Sequence, residues 1–317
     1  MDSCRADQPS TTANHATNRY VHLGNAARLS TGAAHWPNPR KPRNVPSPST
    51  TPPPQLSPYG APVPIHDPLT PSTSSPANPL TEIYRDDWLL AVHKPAGLLV
   101  HRSPIDRHET EFALQYAREL NGGEHVYPLH RLDRPTSGLL VFARDPATAS
   151  VLGKALMAGE MEKTYLAMVR GWAGEEGVID HPLREHAIDR RDKDEQPVRE
   201  AMTRYRRLAT TEIPVQIEGY PASRYSLVEL YPQTGRKHQL RRHMQHISHP
   251  IIGDTNYGRT RHNHYFAERF GYSRLMLAAT GLAFRHPVTG AALQLHAAPE
   301  ASFCQVLSIF GETLPPL

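Results

Sequence analysis

Proline is the feature that most narrows what this chain can fold into. About half of its 31 prolines fall before residue 81. Each one fixes its own φ at about −65° and has no N–H to give to a ladder. From Pro37 to Pro79 no apolar period of two or of 3.6 residues can be found, and Ser, Thr, Ala and Asn fill most of the remaining positions. A segment of this kind cannot bury enough apolar surface to offset the entropy of ordering it. Residues 1–80 are therefore expected to be a disordered tail, and the folded domain is expected over residues 81–310. The first 35 residues carry Arg, Ser and Ala with few acids, faintly the composition of an organelle transit peptide. A plain tail, or a start codon placed too far upstream, is the simpler account of them.

The rest of the composition excludes several classes. No apolar run approaches the roughly 20 residues needed to cross a bilayer, so a soluble protein with no membrane partner is expected. The two cysteines, Cys4 and Cys304, stand at opposite ends of the chain. They make neither a disulfide framework nor a paired metal-ligand spacing, which fits a reducing compartment such as the cytoplasm. A net charge of +4 does not by itself indicate a nucleic-acid partner; clustering of the positive charge would.

Order is expected from near Leu80. Ile83-Tyr84 and Trp88–Val92 read as short strands around an Asp86-Asp87 turn. Lys94-Pro95-Ala96-Gly97 breaks the pattern and Leu98–Val100 resumes it. Residues 111–120 place Phe112, Leu114, Tyr116 and Leu120 roughly on one helical face. Gly138–Ala143 is a strongly apolar strand. Ala147–Met157 is a helix opened by Asp145 as N-cap with Pro146 at its first position. Tyr165–Val169, Tyr225–Leu230 and Leu275–Ala279 read as strands, and a helix is expected from Lys237 to about Ile247. Strands outnumber helices without alternating regularly with them, so the fold is expected to be α+β around a mixed, mostly antiparallel sheet with flanking helices.

Three patches carry candidate chemistry. The first is His130-Arg131-Leu132-Asp133-Arg134-Pro135-Thr136-Ser137-Gly138, just before the apolar strand. It puts an acid between two arginines at the mouth of a rigid sheet, where a scaffold can fix a reactive carboxylate. A turn with a surface ion pair is the plainer reading of Arg-Leu-Asp alone. The second patch, Lys163 to Gly171, places Tyr165, Ala167 and Val169 on one face of a strand. Taken alone, Tyr165 is a core aromatic with a satisfied hydroxyl.

The third patch runs from Thr234 to Asp254 and holds Arg236, Lys237, His238, Arg241, Arg242 and His243. Helical spacing puts Lys237, His238 and Arg241 on one face, which can meet phosphate or hold a buried carboxylate. A solvated basic helix explains the same residues. A zinc site from His238, His243, His246 and His249 is the weaker alternative, since no thiol or carboxylate completes the spacing.

In the order HRLD-x-x-TSG, K-x-Y-x-A-x-V-x-G, TGR-x-HQLR-x-H and HPIIGD, these patches resemble the RluA-type family of pseudouridine synthases. The resemblance runs from about Ile83 to His296. The stretches 98–109, 235–254 and 266–277 look like the branch of that family that modifies position 65 of tRNA; the alternatives are the same reaction on ribosomal RNA, or a non-catalytic RNA-binding protein on this scaffold. The resemblance implies a catalytic aspartate at Asp133, a tyrosine against the target base at Tyr165 and an arginine paired with the aspartate at Arg241. It implies further that Arg131 enters the space left by the flipped base, and that Leu275 to Leu277 wall the uracil pocket. Arg236, Lys237 and His238 are expected to face RNA. Two positions depart from the family pattern: Ala278-Ala279 stand where it usually reads HA after the RL-x-L stretch, and His93 stands where Asn commonly precedes Lys-Pro. Isomerising uridine imports no group and moves no net electrons, so no cofactor, no metal and no obligate protein partner are expected.

Overall fold

A computed structural model describes residues 78–102, 108–185 and 197–314. Most of the tail expectation, residues 1–77, lies outside the described residues. Its last three positions do not: Asn78 donates to the carbonyl of Tyr116, and Leu80 is buried.

Local chemistry starts the fold. The strands β1 (Thr81–Arg85) and β2 (Leu89–Lys94) pair antiparallel. Asp86 closes the turn between them by accepting the N–H groups of Trp88 and Leu89 on Oδ1, which is the Asx-turn habit of aspartate. Helix α1 covers Ala113–Leu120, with Phe112 just outside it at the N-cap. Its buried residues are Ala113 and Ala117, while Leu114, Tyr116 and Leu120 are only partly buried. The expected apolar face is therefore one step off. Leu98–Val100 is not a strand. The carbonyls of Leu99 and Val100 instead accept the first N–H groups of α1, from Ala113 and Leu114, so they satisfy a helix start rather than a ladder.

β3 (Tyr127–Pro128) leads to β4 (Ser137–Ala143), which is buried at all seven positions. Leu139, Leu140, Val141 and Phe142 each contribute about 1.5–3 kcal/mol of gross apolar burial, the usual range for a fully buried side chain. Helix α2 (Pro146–Met157) begins as its sequence signals require, with Asp145 accepting the N–H of Thr148 at 2.9 Å and Pro146 at the first position. There follow β5 (Glu162–Arg170), β6 (Glu176–Asp180), β7 (Leu183–Arg184), β8 (Val198–Arg199), β9 (Met202–Ile213) and β10 (Ser223–Pro232). Helices α3 (Gln239–His246) and α4 (Thr260–Phe270), strands β11 (Leu277–Arg285) and β12 (Ala292–His296), helix α5 (Ala301–Leu307) and a 3-10 turn (Ser308–Thr313) complete the order.

The main sheet runs β1-β2-β4-β11-β5-β10-β9-β6, with β12 added to β11 and β3 to β4. Every pairing is antiparallel except β4 with β11. The fold is thus α+β around a mixed, mostly antiparallel sheet. Two apolar clusters cover it. One gathers β2, β4, α1 and the later part of β11; the other gathers β5, β10, α3, α5 and the start of β11. They meet at β11, where Leu277 and Ala278 belong to one and Ala279 and Leu282 to the other. β11 starts two residues later than the alternation suggested. Met276 N–H donates to the carbonyl of Ile252 and its own carbonyl accepts the N–H of Met168, outside the regular ladder.

Candidate active site

β4, β11 and β5 are neighbours at the centre of the sheet, and their register sets the site. Ala279 stands opposite Gly138 on one side and Tyr165 on the other. Gly138 has φ +109°, and a Cβ there would collide with the backbone of Ala279. Only glycine allows β11 this close to the start of β4. The close approach puts the loop that precedes β4 directly beside β5 and β11. That loop holds Asp133, whose carbonyl accepts the N–H of Thr136 at 3.0 Å to close a turn.

The second half of the site is the 233–238 turn and α3. Gln239 is buried and uses both ends of its amide. Its Oε1 accepts from Arg236 N and Thr234 Oγ1, and its Nε2 donates to the Met202 carbonyl and to Thr203 Oγ1. This pins the turn to β9. His238 sits at the N-cap with φ 55°, and the helix begins one residue later. Lys237, His238 and Arg241 therefore do not share a helical face as their spacing suggested. His238 still reaches the site, its Nε2 lying 3.9 Å from Asp133 Oδ1 while Nδ1 meets the Tyr257 hydroxyl at 3.0 Å.

Arg241, 4% exposed, donates from Nη1 to Asp133 Oδ2 at 3.2 Å. Its stronger partner is Asp254, a fully buried carboxylate. Nε donates to Oδ2 at 2.7 Å and Nη2 to Oδ1 at 2.9 Å, a bidentate fork of the kind that fixes both position and orientation. Asp254 also accepts the N–H groups of Asn256 and Tyr257 on Oδ1. Burial opposes the charge on both partners. The hydrogen bond and charge of Arg241 nonetheless hold Asp254 below the usual carboxylate range, and Asp254 followed by Asp133 raises Arg241. In the sequence, Asp254 stands only as the last residue of the HPIIGD motif. The signal was present: it is the first acid after Glu229, at the end of the basic stretch from Arg236.

Around Asp133 the structure forms a cleft of about 610 Å³. Tyr165 and Leu277 line it, as do His130, Lys163 and Thr136, and Arg131, Arg236, Lys237 and His238 stand along it. Leu275 does not line it. That residue is 2% exposed and belongs to the core cluster on β5 and β10, so only the Leu277 end of the expected wall faces the cleft. Tyr165 packs against both core clusters. Burial and then the charge of Asp133 push its hydroxyl far above the ordinary tyrosine value, which keeps it protonated and able to donate. Burial and then Lys163 push His130 down to about 4, so it is neutral at pH 7. Arg131, Arg236 and Lys237 are exposed, and Arg236 Nε is held by the carbonyl of Glu200 at 3.0 Å.

The remaining histidines of the third patch diverge. His243 meets Thr203 Oγ1 and the His181 carbonyl, His246 stacks on His181 at 3.7 Å, and His249 meets the Arg170 carbonyl. Among the described residues no group of three or more His, Cys, Asp or Glu could hold a metal ion. Of the two departures from the family pattern, Ala278 is buried within the sheet between Ser137 and Leu166 while Ala279 stands opposite Gly138 and Tyr165, and His93 pairs with Leu139.

Lys94 stands behind the loop. It is fully buried, and its Nζ donates to the carbonyls of Pro95 and Leu98 at 2.8 Å and of Arg134 at 3.4 Å. Burial pushes it down to about 7, against the opposing charges of Glu300 and Asp133.

Comparison with known proteins gives a consistent result. Residues 88–246 match the family described as RNA pseudouridylate synthase. The tRNA pseudouridine synthase C of Vibrio cholerae is 49% identical over 232 residues, covering 72% of this chain and 95% of that protein. That of Pasteurella multocida is 47% identical over 231 residues, with 72% and 95% covered. Among solved structures, human RNA pseudouridylate synthase domain containing 4 superposes with a TM-score of 0.55 at 25% identity, covering 72% of this chain and 92% of that one.

Proposed function

The chain belongs to the RNA pseudouridylate synthase family, and on that premise we propose that the uridine it isomerises is position 65 of a tRNA, with Asp133 as the reacting carboxylate. The tRNA assignment is supported by relatives named tRNA pseudouridine synthase C and by the likeness of the 235–254 stretch to the branch acting at position 65. The observation that carries the assignment of Asp133 is its place in the cleft, ion-paired to a buried arginine that a second carboxylate holds in position.

The chemistry fits these residues. The reaction breaks N1–C1′, turns the uracil and joins C5 to C1′, so it needs a nucleophile or base beside the reacting atoms. An ionised carboxylate serves, and Arg241, donating to Asp133 Oδ2, fixes its orientation. Because Arg241 is itself neutralised by Asp254, it steadies Asp133 without claiming its full charge. Tyr165, held protonated, lies against the base and relays the C5 proton, accepting it only as it passes on its own, and N1 gains the proton that C5 loses. Leu277 gives the uracil an apolar wall. The target nucleotide must leave its stem at a cost of a few kcal/mol. Arg131 in the vacated space, and phosphates bound by Arg236 and Lys237 with His238 nearby, offset that cost. The reaction consumes no electrons and imports no group, so these side chains suffice for its balance. No helix among the described residues is long and apolar enough to cross a membrane, and the tRNA-directed reading places the work in the cytoplasm.

The test is the Asp133→Asn variant on tRNA labelled with tritium at C5. Tritium release should fall to background while tRNA affinity changes less than about threefold, because affinity rests mainly on phosphate contacts. Turnover by the variant removes Asp133 from the mechanism. Pseudouridine mapping in a deletion strain separates the substrates: a loss confined to ribosomal RNA replaces the tRNA reading.

A further inference from the structure

We propose that Glu300, in the segment between β12 and α5, is a positioning residue that fixes the Asp133 loop from behind through Arg274 and the 95–98 turn. The inference rests on the reading of Asp133 as the reacting carboxylate. Glu300 lies well beyond the family match, which ends at residue 246, and it does not line the cleft.

Its two oxygens serve two separate segments. Oε2 accepts from Arg274 Nη1 at 2.8 Å, and Oε1 accepts the N–H of Ala96 at 3.3 Å. The other arm of Arg274, Nη2, donates to Ser137 Oγ at 3.0 Å, and its guanidinium lies over the Phe303 ring. Ala96 belongs to the turn that grips the loop from the opposite side: Gly97 N–H donates to the Arg134 carbonyl at 2.8 Å, and Arg134 Nε returns to the Gly97 carbonyl at 3.0 Å. Lys94 ties the same turn to the Arg134 carbonyl. Residues 134 and 137, which follow Asp133 at once and after one turn, are therefore each held by a partner that leads back to Glu300.

A bidentate anchor of this kind makes two contacts depend on one side chain. Without Glu300, the guanidinium of Arg274, only 6% exposed, would lose its counter-charge and be held only by Ser302 Oγ, the Leu275 carbonyl and the Phe303 ring, which loosens its donation to Ser137. The helix that follows does not need Glu300 for its place. Phe303 and Leu307 of α5 are fully buried in the core cluster on β5 and β10, so removal should loosen the loop without unfolding the helix.

The experiment uses the full chain with Glu300→Ala and Glu300→Gln. Hydrogen exchange by mass spectrometry should show the peptide over 131–138 exchanging at least about tenfold faster in Glu300→Ala, with α3 and β9 unchanged. Single-turnover rates at saturating tRNA should fall about 10- to 100-fold, the scale of a misplaced reacting group, with tRNA affinity within about threefold. Glu300→Gln keeps one acceptor and should recover part of the rate. Unchanged exchange over 131–138 overturns the proposal, as does faster exchange with a wild-type rate. If the wild-type chain makes no pseudouridine in tRNA or ribosomal RNA, the reading of the site fails, while the exchange data still decide whether Glu300 anchors the loop.

Discussion

Replacing Asp254 with asparagine should damage this protein more than any surface charge change, and the structure gives the size. Arg241 and Asp254 are 4% and 0% exposed, and two hydrogen bonds of 2.7 and 2.9 Å join them. Removing one partner of a buried pair leaves the other uncompensated, at about 3–5 kcal/mol. Asparagine keeps one carbonyl oxygen for the N–H groups of Asn256 and Tyr257, so its cost should sit near 3 kcal/mol. Alanine strands those two donors as well and should reach about 5 kcal/mol. At roughly 2–4 °C per kcal/mol for a domain of this size, the melting point of Asp254→Asn should fall by about 10 °C.

The assay is urea denaturation with the slope held as a check on two-state behaviour. The pH dependence has a definite sign. Asp254 titrates lower in the folded chain than in the unfolded one, so its contribution is complete above the unfolded carboxyl value of about 4 and disappears as the pH falls further. The acid limb of stability should therefore be flatter in the variant. A double variant, Arg241→Met with Asp254→Leu, should lose less than either single change, because it removes both buried charges at once. A loss below about 1 kcal/mol in Asp254→Asn, the range of an exposed pair, or additive losses in the double variant, would refute the argument.

Arg241→Ala should depress the single-turnover rate severely, while Arg236→Ala should chiefly weaken tRNA binding; equal rate losses at saturating tRNA would show that the two arginines do not divide the work. Gly138→Ala should cost more than about 3 kcal/mol, since it combines a positive φ with a collision against the Ala279 backbone, and a melting point within about 3 °C of wild type would contradict the register of β4 and β11. Lys94 titrates at about 7 in the folded chain against 10.5 for the free side chain. Between those values the unfolded chain binds the extra proton, so this group makes stability rise with pH. Urea midpoints at pH 7, 8 and 9 should climb in wild type relative to Lys94→Met, and parallel curves would show that Lys94 is not the source.

The sequence revealed what local chemistry decides. Asp145-Pro146 marked the start of α2, the apolar run 138–143 marked β4, and the acid flanked by arginines lay in the cleft. What escaped depends on distant partners. Helical spacing put Lys237 and His238 on the face of Arg241, but the side chain of Gln239 holds the turn open until residue 238, and the helix starts after it. The run of arginines in β9 hid a strand whose alternation shows only once Thr203 is seen to be buried under Gln239 and His243. Leu275 follows the same alternation as Leu277, yet the Ile252 carbonyl takes the neighbouring N–H and leaves Leu275 in the core. Asp254 was visible as a lone acid, but nothing local says that Arg241 turns toward it.

The parallel pairing of β4 with β11 has a consequence for biosynthesis. Ser137 meets Arg274 across 137 residues of chain, and the cluster built on β2, β4 and α1 takes Leu282, Phe284 and Leu295 from beyond it. A ribosome adding 5–20 residues per second needs roughly 7–30 s to supply that missing wall. Throughout that interval the most apolar strand of the nascent chain has an open edge, the condition under which strands pair with the wrong partner. Such long-range closure also makes folding slow. Production of active protein should therefore depend on chaperones that bind exposed apolar segments, and a chain ending before residue 277 should aggregate rather than persist as a soluble half.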